Sequence, residues 1–376
     1  MTTARITRSP SRENEMKKFN ATRLSIARQR RLLNKKEFAD LLGVVAQTVT
    51  RWEQGKAAPT FENIVAFSKA LDFPEAFFYG QDLGVASPEM VSFRSQKAMT
   101  AGVRDAALAA GAIGFLLSDW VEEKFELPPI QVPDLSSLDP ESAAITLRHD
   151  WSIGEQPITN MIHLLESKGV RVFSLAENST RVNAFSLWRD EKPYVFLNTM
   201  KTAENSRFDA AHELGHLVLH QDGQTTGRKA EEEANQFASA LLLPHADLLA
   251  NSMRSVSTLN QLIISKKRWK VSVAALNYRL HKLEYLSDWK YRDFCIQIAT
   301  RFKRTEPEGI ERERSVVWKK VLRSLWAERI TQYDIARELG VPPDEINALI
   351  FGMLDQTPMD LPSERRPLRL IAGGQQ

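Results

Sequence analysis

Cysteine is almost missing from this chain. One thiol, Cys295, stands in 376 residues, which excludes an internal disulfide and fits a reducing cytosol. Long apolar runs are missing too. The longest weakly polar stretch, AALAAGAIGFLL at 106–117, is shorter than the roughly 20 residues that span a bilayer. The opening MTTARITRSPSRENEMKKF lacks the apolar centre of an export signal. These absences argue against a secreted scaffold and a membrane protein, and the expectation is a cytoplasmic chain with no membrane partner. What is present, 43% hydrophobic and 26% charged residues, suits a globular protein, and the length calls for two or three cores.

Net charge is also small, at +3, but it is unevenly spread. Residues 1–56 hold thirteen Lys and Arg against five Asp and Glu, so the rest of the chain is mildly acidic. A basic head on an acidic body is the electrostatic footprint of a nucleic-acid-binding module.

Between Asn20 and Gly80 apolar residues recur at helical spacing in five short blocks. In NKKEFADLLGVVAQTVTRWEQG, Asn34 is a good N-cap. Phe38, Ala39, Leu41 and Leu42 make an apolar face, and Gly43 suits a tight turn, because glycine enters the left-handed region at little cost. A second helix follows with Val49 and Trp52 inward and Ala46, Gln47, Thr50 and Arg51 on the opposite face. Gln and Arg can pair with adenine and guanine edges, and Ala and Thr can meet a thymine methyl. Lys35 and Lys36 are placed for phosphates. LSIARQRRLLNKKEFADLLGV, TVTRWEQGKAAPT and IVAFSKALDF together resemble the Xre/Cro family of helix-turn-helix domains. The resemblance implies binding of a double-stranded DNA operator, as a homodimer on paired half-sites. The segment 85–129, with a long helix expected over 98–125, supplies either the dimer contact or internal packing.

After a Pro-, Asp- and Ser-rich linker (127–141), two helices and three strand-like runs (170–175, 182–188, 193–198) lead to NSRFDAAHELGHLVLHQDG. On a helix, His212 and His216 share a face one turn apart and can point two imidazoles at one cation. Glu213 projects beside them, placed to act as general base rather than ligand. His220 reads as a helix-end cation. A catalytic metal needs a third protein ligand, and AEEEANQFASALLLP offers Glu231, Glu232 and Glu233 on a returning helix, with Asn235 one turn beyond Glu231 to support a histidine.

Residues 140–285 resemble the ImmA/IrrE metallopeptidases in RFDAAHELGHLVLH, EEEANQFASALLLP and VSVAALNYRL. That resemblance implies a zincin-like fold, zinc (Zn2+) held by His212, His216 and Glu231, and Glu213 as general base in peptide-bond hydrolysis. It offers Tyr278, Arg279 or His281 as oxyanion partners, and an exposed hairpin edge, in 182–188 or 193–198, for an extended substrate. The implied partner is a repressor; the alternative is a non-proteolytic antitoxin or autorepressor gripping a toxin. Two imidazoles and a carboxylate also accept manganese or iron.

The C-terminal part carries an amphipathic helix with Val317, Val321, Leu322 and Leu325 on one side. QYDIARELGVPPDEINALIFGM then echoes the first module at a constant offset of 297 residues. Acidic DEIN replaces the reading face and would repel phosphate, so packing or partner binding is favoured over a second DNA reader. The expected fold is mainly α with a small β-sheet. Its parts are a five-helix helix-turn-helix domain at 20–80, a helical linker or dimerisation segment at 81–139, a zincin-like α+β domain at 140–286, and a helical region at 287–376.

Overall fold

The computed structural model describes residues 18–86, 92–93, 100–175, 184–221, 227–303 and 305–353. The N-terminal module comprises α1 (Ala21–Arg30), α2 (Lys35–Leu42), α3 (Ala46–Glu53) and α4 (Phe61–Leu71). The fifth block forms a 3₁₀ turn at Glu75–Tyr79 rather than an α-helix. Asn34 and Glu37 close a reciprocal capping box at the start of α2, and Gly43 turns the chain into α3 at φ 68°. Val49 and Trp52 point inward, with Trp52 edge-on to Phe67. Arg28 grips Glu53 at 2.6 Å and 3.2 Å, fastening α3 to α1.

The two-residue strand β1 (Ser92–Phe93) is followed by α5 (Ala101–Lys124). By length and composition, α5 is the one helix among the described residues able to cross a bilayer, but most of its apolar stretch is buried inside the chain. It packs on α1, so internal packing accounts for its apolar character.

The middle of the chain holds α6 (Pro140–Asp150), α7 (Met161–Ser167), β2 (Arg171–Leu175), β3 (Phe185–Arg189), β4 (Lys192–Asn198), α8 (Ala203–Leu219) and α9 (Gly227–Leu242). Then come α10 (His245–Ala250), α11 (Leu259–Trp269), α12 (Val273–Lys282) and α13 (Asp288–Phe302). The strands form one sheet in the order β1-β3-β4-β2. β3 and β4 make a hairpin through Asp190 and Glu191, both at positive φ (49° and 60°), whose twist suits a two-residue connection. β4 therefore lies inside the sheet and offers no edge: β2 pairs parallel along its other side, Arg171 opposite Tyr194. β3 is the strand with a side toward β1, which meets it antiparallel at Phe185 and Ser186. Residues 182 and 183 of the expected strand lie outside the described residues.

Side chains alternate across a sheet, and here each face closes a different core. Phe173, Phe185, Tyr194 and Phe196 join the core of the N-terminal module and α5. Val172, Val195 and Leu197 join the core under α8, α9 and α12.

The last elements among the described residues are α14 (Val316–Ala327), α15 (Gln332–Leu339) and α16 (Pro343–Leu349), which return to the first core. The echo seen in the sequence is structural: Thr331 and Asp334 form the capping box, and Gly340 turns at φ 67°. The second helix, however, faces inward. α16 packs on α5 and β2, and Glu345 accepts from Arg30 at 2.8 Å and Arg31 at 2.7 Å on α1. The acidic face is used for packing.

Two glutamates clasp this arm to the middle of the chain. Glu313 accepts from the backbone N–H of Met161 at 2.8 Å, at the start of α7. Glu166, near the end of α7, accepts from Val316 N–H at 2.9 Å, at the start of α14. Each carboxylate thus meets the positive end of the other segment's helix. Burial pushes the Glu166 carboxyl up to about 7, against the opposing pull of the Ser315 hydroxyl and the Val316 and Val317 amides. Between its ordinary value of 4.5 and about 7, the folded chain keeps a proton that the unfolded chain has lost. Stability therefore falls as pH rises through that window. Glu166→Gln is expected to flatten the fall, by up to about 3 kcal/mol, in urea midpoints compared at low and high pH. An identical decline in the variant would assign it to other groups.

Candidate metal centre

The helix α8 carries the metal-ligand spacing and is enclosed on both sides, by the sheet and by α9. From Ser206 to Leu219 every residue except Phe208 is buried. Enclosure so complete explains why the sequence here mixes Ala and Gly with larger apolar residues. Gly215 lies between the two histidines' turns, and a Cβ there would meet Phe237 Cδ1 at 3.0 Å and Ala234 Cα at 3.2 Å. The missing side chain lets α9 approach, and Glu231 sits one turn before Ala234 on that helix.

His212, His216 and Glu231 each offer a donor atom within 4.8 Å of the others. The two imidazole Nε2 atoms are 3.1 Å apart. Glu231 Oε2 lies 3.4 Å from His212 Nε2, and Oε1 lies 3.4 Å from His216 Nε2. Burial favours the neutral form of Glu231, but hydrogen bonds and charge from His212 and His216 outweigh it and hold the carboxyl well below the usual range. Two nitrogens and one ionised oxygen converging on one point are a donor set that could hold a divalent cation such as zinc, with a fourth position left open. The residues fit the ion.

Glu213 is fully buried and stands outside that donor set. The hydroxyl of Ser186 on β3 donates to its Oε2 at 2.7 Å, fixing the carboxylate beside the cluster. Sequence reading missed Ser186; its signal was a lone hydroxyl on the buried side of an apolar strand. His220 caps the end of α8, as its position suggested, but its ring turns toward the cluster. His220 Nδ1 is 3.0 Å from His216 Nδ1, and its Nε2 is 3.0 Å from Glu233 Oε2. The three consecutive glutamates thus have three different partners, Glu232 pairing with Arg228 at 2.7 Å on the outer surface.

Other expected residues go elsewhere. Asn235 does not support a histidine: its amide donates to the Glu231 carbonyl at 2.7 Å, closing an i to i−4 contact on its own helix. Arg279 is held by Glu141 at 2.6 Å and by the Leu243 carbonyl at 3.1 Å. His281 pairs with Asp288 at 2.8 Å. Tyr278 lines a cleft of about 640 Å³ between α8, α9 and α12, together with Asn235 and Gln236.

In the N-terminal module, Gln47 and Arg51 are exposed on α3, while Ala46 and Thr50 are half-buried. The Thr50 hydroxyl donates back to the Ala46 carbonyl at 3.1 Å. Lys36 is exposed, whereas Lys35 reaches Glu53 at 3.4 Å and shares the junction between α1 and α3.

Comparison with known families agrees with both parts. Residues 24–78 match the family described as Helix-turn-helix. Residues 165–281 match a peptidase family described as IrrE N-terminal-like domain. No curated protein matches the chain. The chain thus joins a DNA-binding helix-turn-helix domain to an ImmA/IrrE-type, metallopeptidase-like domain.

Proposed function

We propose that this protein is a transcriptional regulator whose middle domain, residues 140–286, is a zinc-dependent metalloendopeptidase acting on a partner protein such as a repressor. One observation carries the reading: three donors converge within 4.8 Å while Glu213, next in sequence to one of them, is held outside the set by Ser186. When bound, zinc supplies Lewis acidity to the scissile carbonyl and to the attacking water. His212, His216 and Glu231 hold it. Glu213 takes the water's proton and delivers it to the leaving amine. The substrate strand adds to the edge of β3 next to the metal cluster's helix, displacing the short pairing with β1 at Phe185 and Ser186. Protein that carries one zinc per chain yet leaves both a co-encoded repressor and a co-encoded toxin intact would overturn this reading.

The DNA half of the proposal rests on residues 20–80 acting as a homodimer in the cytoplasm, with Gln47 and Arg51 reading base edges and Lys36 on phosphate. Arg51→Ala is expected to weaken operator binding by about 1–3 kcal/mol and to relax one base position. Lys36→Ala is expected to weaken all sequences alike and to lower the salt dependence of binding. Equal losses on operator and random DNA for Arg51→Ala, in a titration at fixed salt, would move the reading face off α3.

A second reading, a non-proteolytic antitoxin or autorepressor, draws support from α13. That helix shows Trp289 and Ile296, 72% and 67% exposed, two turns apart, and Phe294 is its one buried residue. Such a face suits a partner surface.

A further inference from the structure

We propose that His220 and Glu233 form a positioning relay that sets the tautomer of His216, so that its Nε2 lone pair is presented to the cation. The inference rests on the reading of His212, His216 and Glu231 as metal ligands and concerns what orients one of them.

The argument is one of proton placement. An imidazole binds a cation through the ring nitrogen that carries no hydrogen. His216 turns Nε2 into the cluster, 3.1 Å from His212 Nε2 and 3.4 Å from Glu231 Oε1; for that nitrogen to give its lone pair to a cation held there, the ring hydrogen must sit on Nδ1. That Nδ1 is 3.0 Å from His220 Nδ1. Two ring nitrogens at that separation share one hydrogen between them, so His220 Nδ1 accepts. The hydrogen of His220 then sits on Nε2, which donates to Glu233 Oε2 at 3.0 Å. Each donor in the series faces an acceptor, and the series ends on a carboxylate.

The surroundings hold the series in place. The His220 side chain is 7% exposed and that of Glu233 25%. His220 sits at the C-cap of α8, where its own N–H donates to the His216 carbonyl at 3.1 Å, so the two rings are tied through backbone as well. Glu233 also has Lys229 at 3.5 Å on its other oxygen, an exposed partner that leaves Oε2 to the ring. A terminal carboxylate makes the ligating nitrogen a better donor, and loss of such a support weakens metal binding by about 10- to 100-fold.

The test is zinc affinity of the full chain, by competition with a chromophoric chelator, with the visible spectrum of the cobalt-loaded protein as a second readout. His220→Ala is expected to weaken zinc binding by about 10- to 100-fold and to alter the cobalt spectrum. His220→Asn places an amide oxygen near the position of Nδ1 and is expected to restore most of the affinity. Glu233→Gln keeps an acceptor for His220 but removes the charge, and its smaller loss is expected to vanish when combined with His220→Ala. Wild-type affinity and spectrum in His220→Ala, or an equal Glu233→Gln loss in both backgrounds, overturns the relay. If His220→Ala does not fold, His220→Asn and Glu233→Gln carry the same comparison. Zinc binding that depends on His220 in a protein without hydrolysis removes the peptidase reading and keeps the relay; a wild-type chain that holds no zinc removes both.

Discussion

Glu213→Gln is expected to abolish hydrolysis, by about 10²–10⁴-fold, while zinc stays bound at one per chain. The separation of the two effects follows from geometry. Glu213 is not among the converging donors, so the amide leaves the cation's ligands untouched. The Ser186 hydroxyl, now at 2.7 Å from Oε2, can still donate to an amide oxygen in the same place. What the substitution removes is a group able to accept the water's proton. The measurement pairs metal analysis with cleavage of a purified repressor or a denatured protein substrate. A variant that cuts as fast as wild type would place the chemistry elsewhere, whereas a wild type and a variant that both leave the substrate intact would leave the binding-protein reading standing.

Lys266→Ala is expected to destabilise the fold by about 3–5 kcal/mol, with no contact to the metal cluster. Lys266 on α11 is 1% exposed and lies 3.1 Å from both Glu204, in the first turn of α8, and Glu306. Glu204 also accepts from the Ile310 N–H at 2.9 Å. Burial, the largest influence on Glu306, pushes its carboxyl up, and the Val273 amide and Lys266 pull the other way. Removing the lysine leaves the buried Glu204 and the partly buried Glu306 close together without a cation, so one must take up a proton or draw in water. Urea unfolding at neutral pH measures the loss, and adding Glu204→Gln to Lys266→Ala is expected to recover part of it. A loss below about 1 kcal/mol, the range of exposed pairs, would mean that water already reaches this cluster.

Features that depend on neighbours in sequence were legible without a structure. Asn34, Phe38, Gly43 and Val49 announce the first helix-turn-helix because capping, periodicity and turn conformation are local properties. The four-residue spacing of His212 and His216 is a statement about one helix turn. The carboxylate was harder. Glu231, Glu232 and Glu233 have the same chemistry, and choosing among them depends on how closely α9 approaches α8, which Gly215 decides through space. His220 read as a helix end, which it is; its second task appears only when the ring is seen against His216 and Glu233. Strand order was not legible for the same reason, and the sequence left the hairpin edge open between 182–188 and 193–198. The pairing of Arg171 with Tyr194 joins segments that sequence periodicity treats as independent, and it turns β4 from a candidate edge into an interior strand. The inward turn of α16 depends on Arg30 and Arg31, more than 300 positions away.

The sheet is a party wall. Phe173, Phe185, Tyr194 and Phe196 furnish one room, Val172, Val195 and Leu197 the other, and a single layer of backbone separates them. Ser186, which holds Glu213, is a brick in that wall. The two cores therefore share one layer of backbone, and a substitution that shifts a strand of the partition is expected to disturb the packing in both rooms.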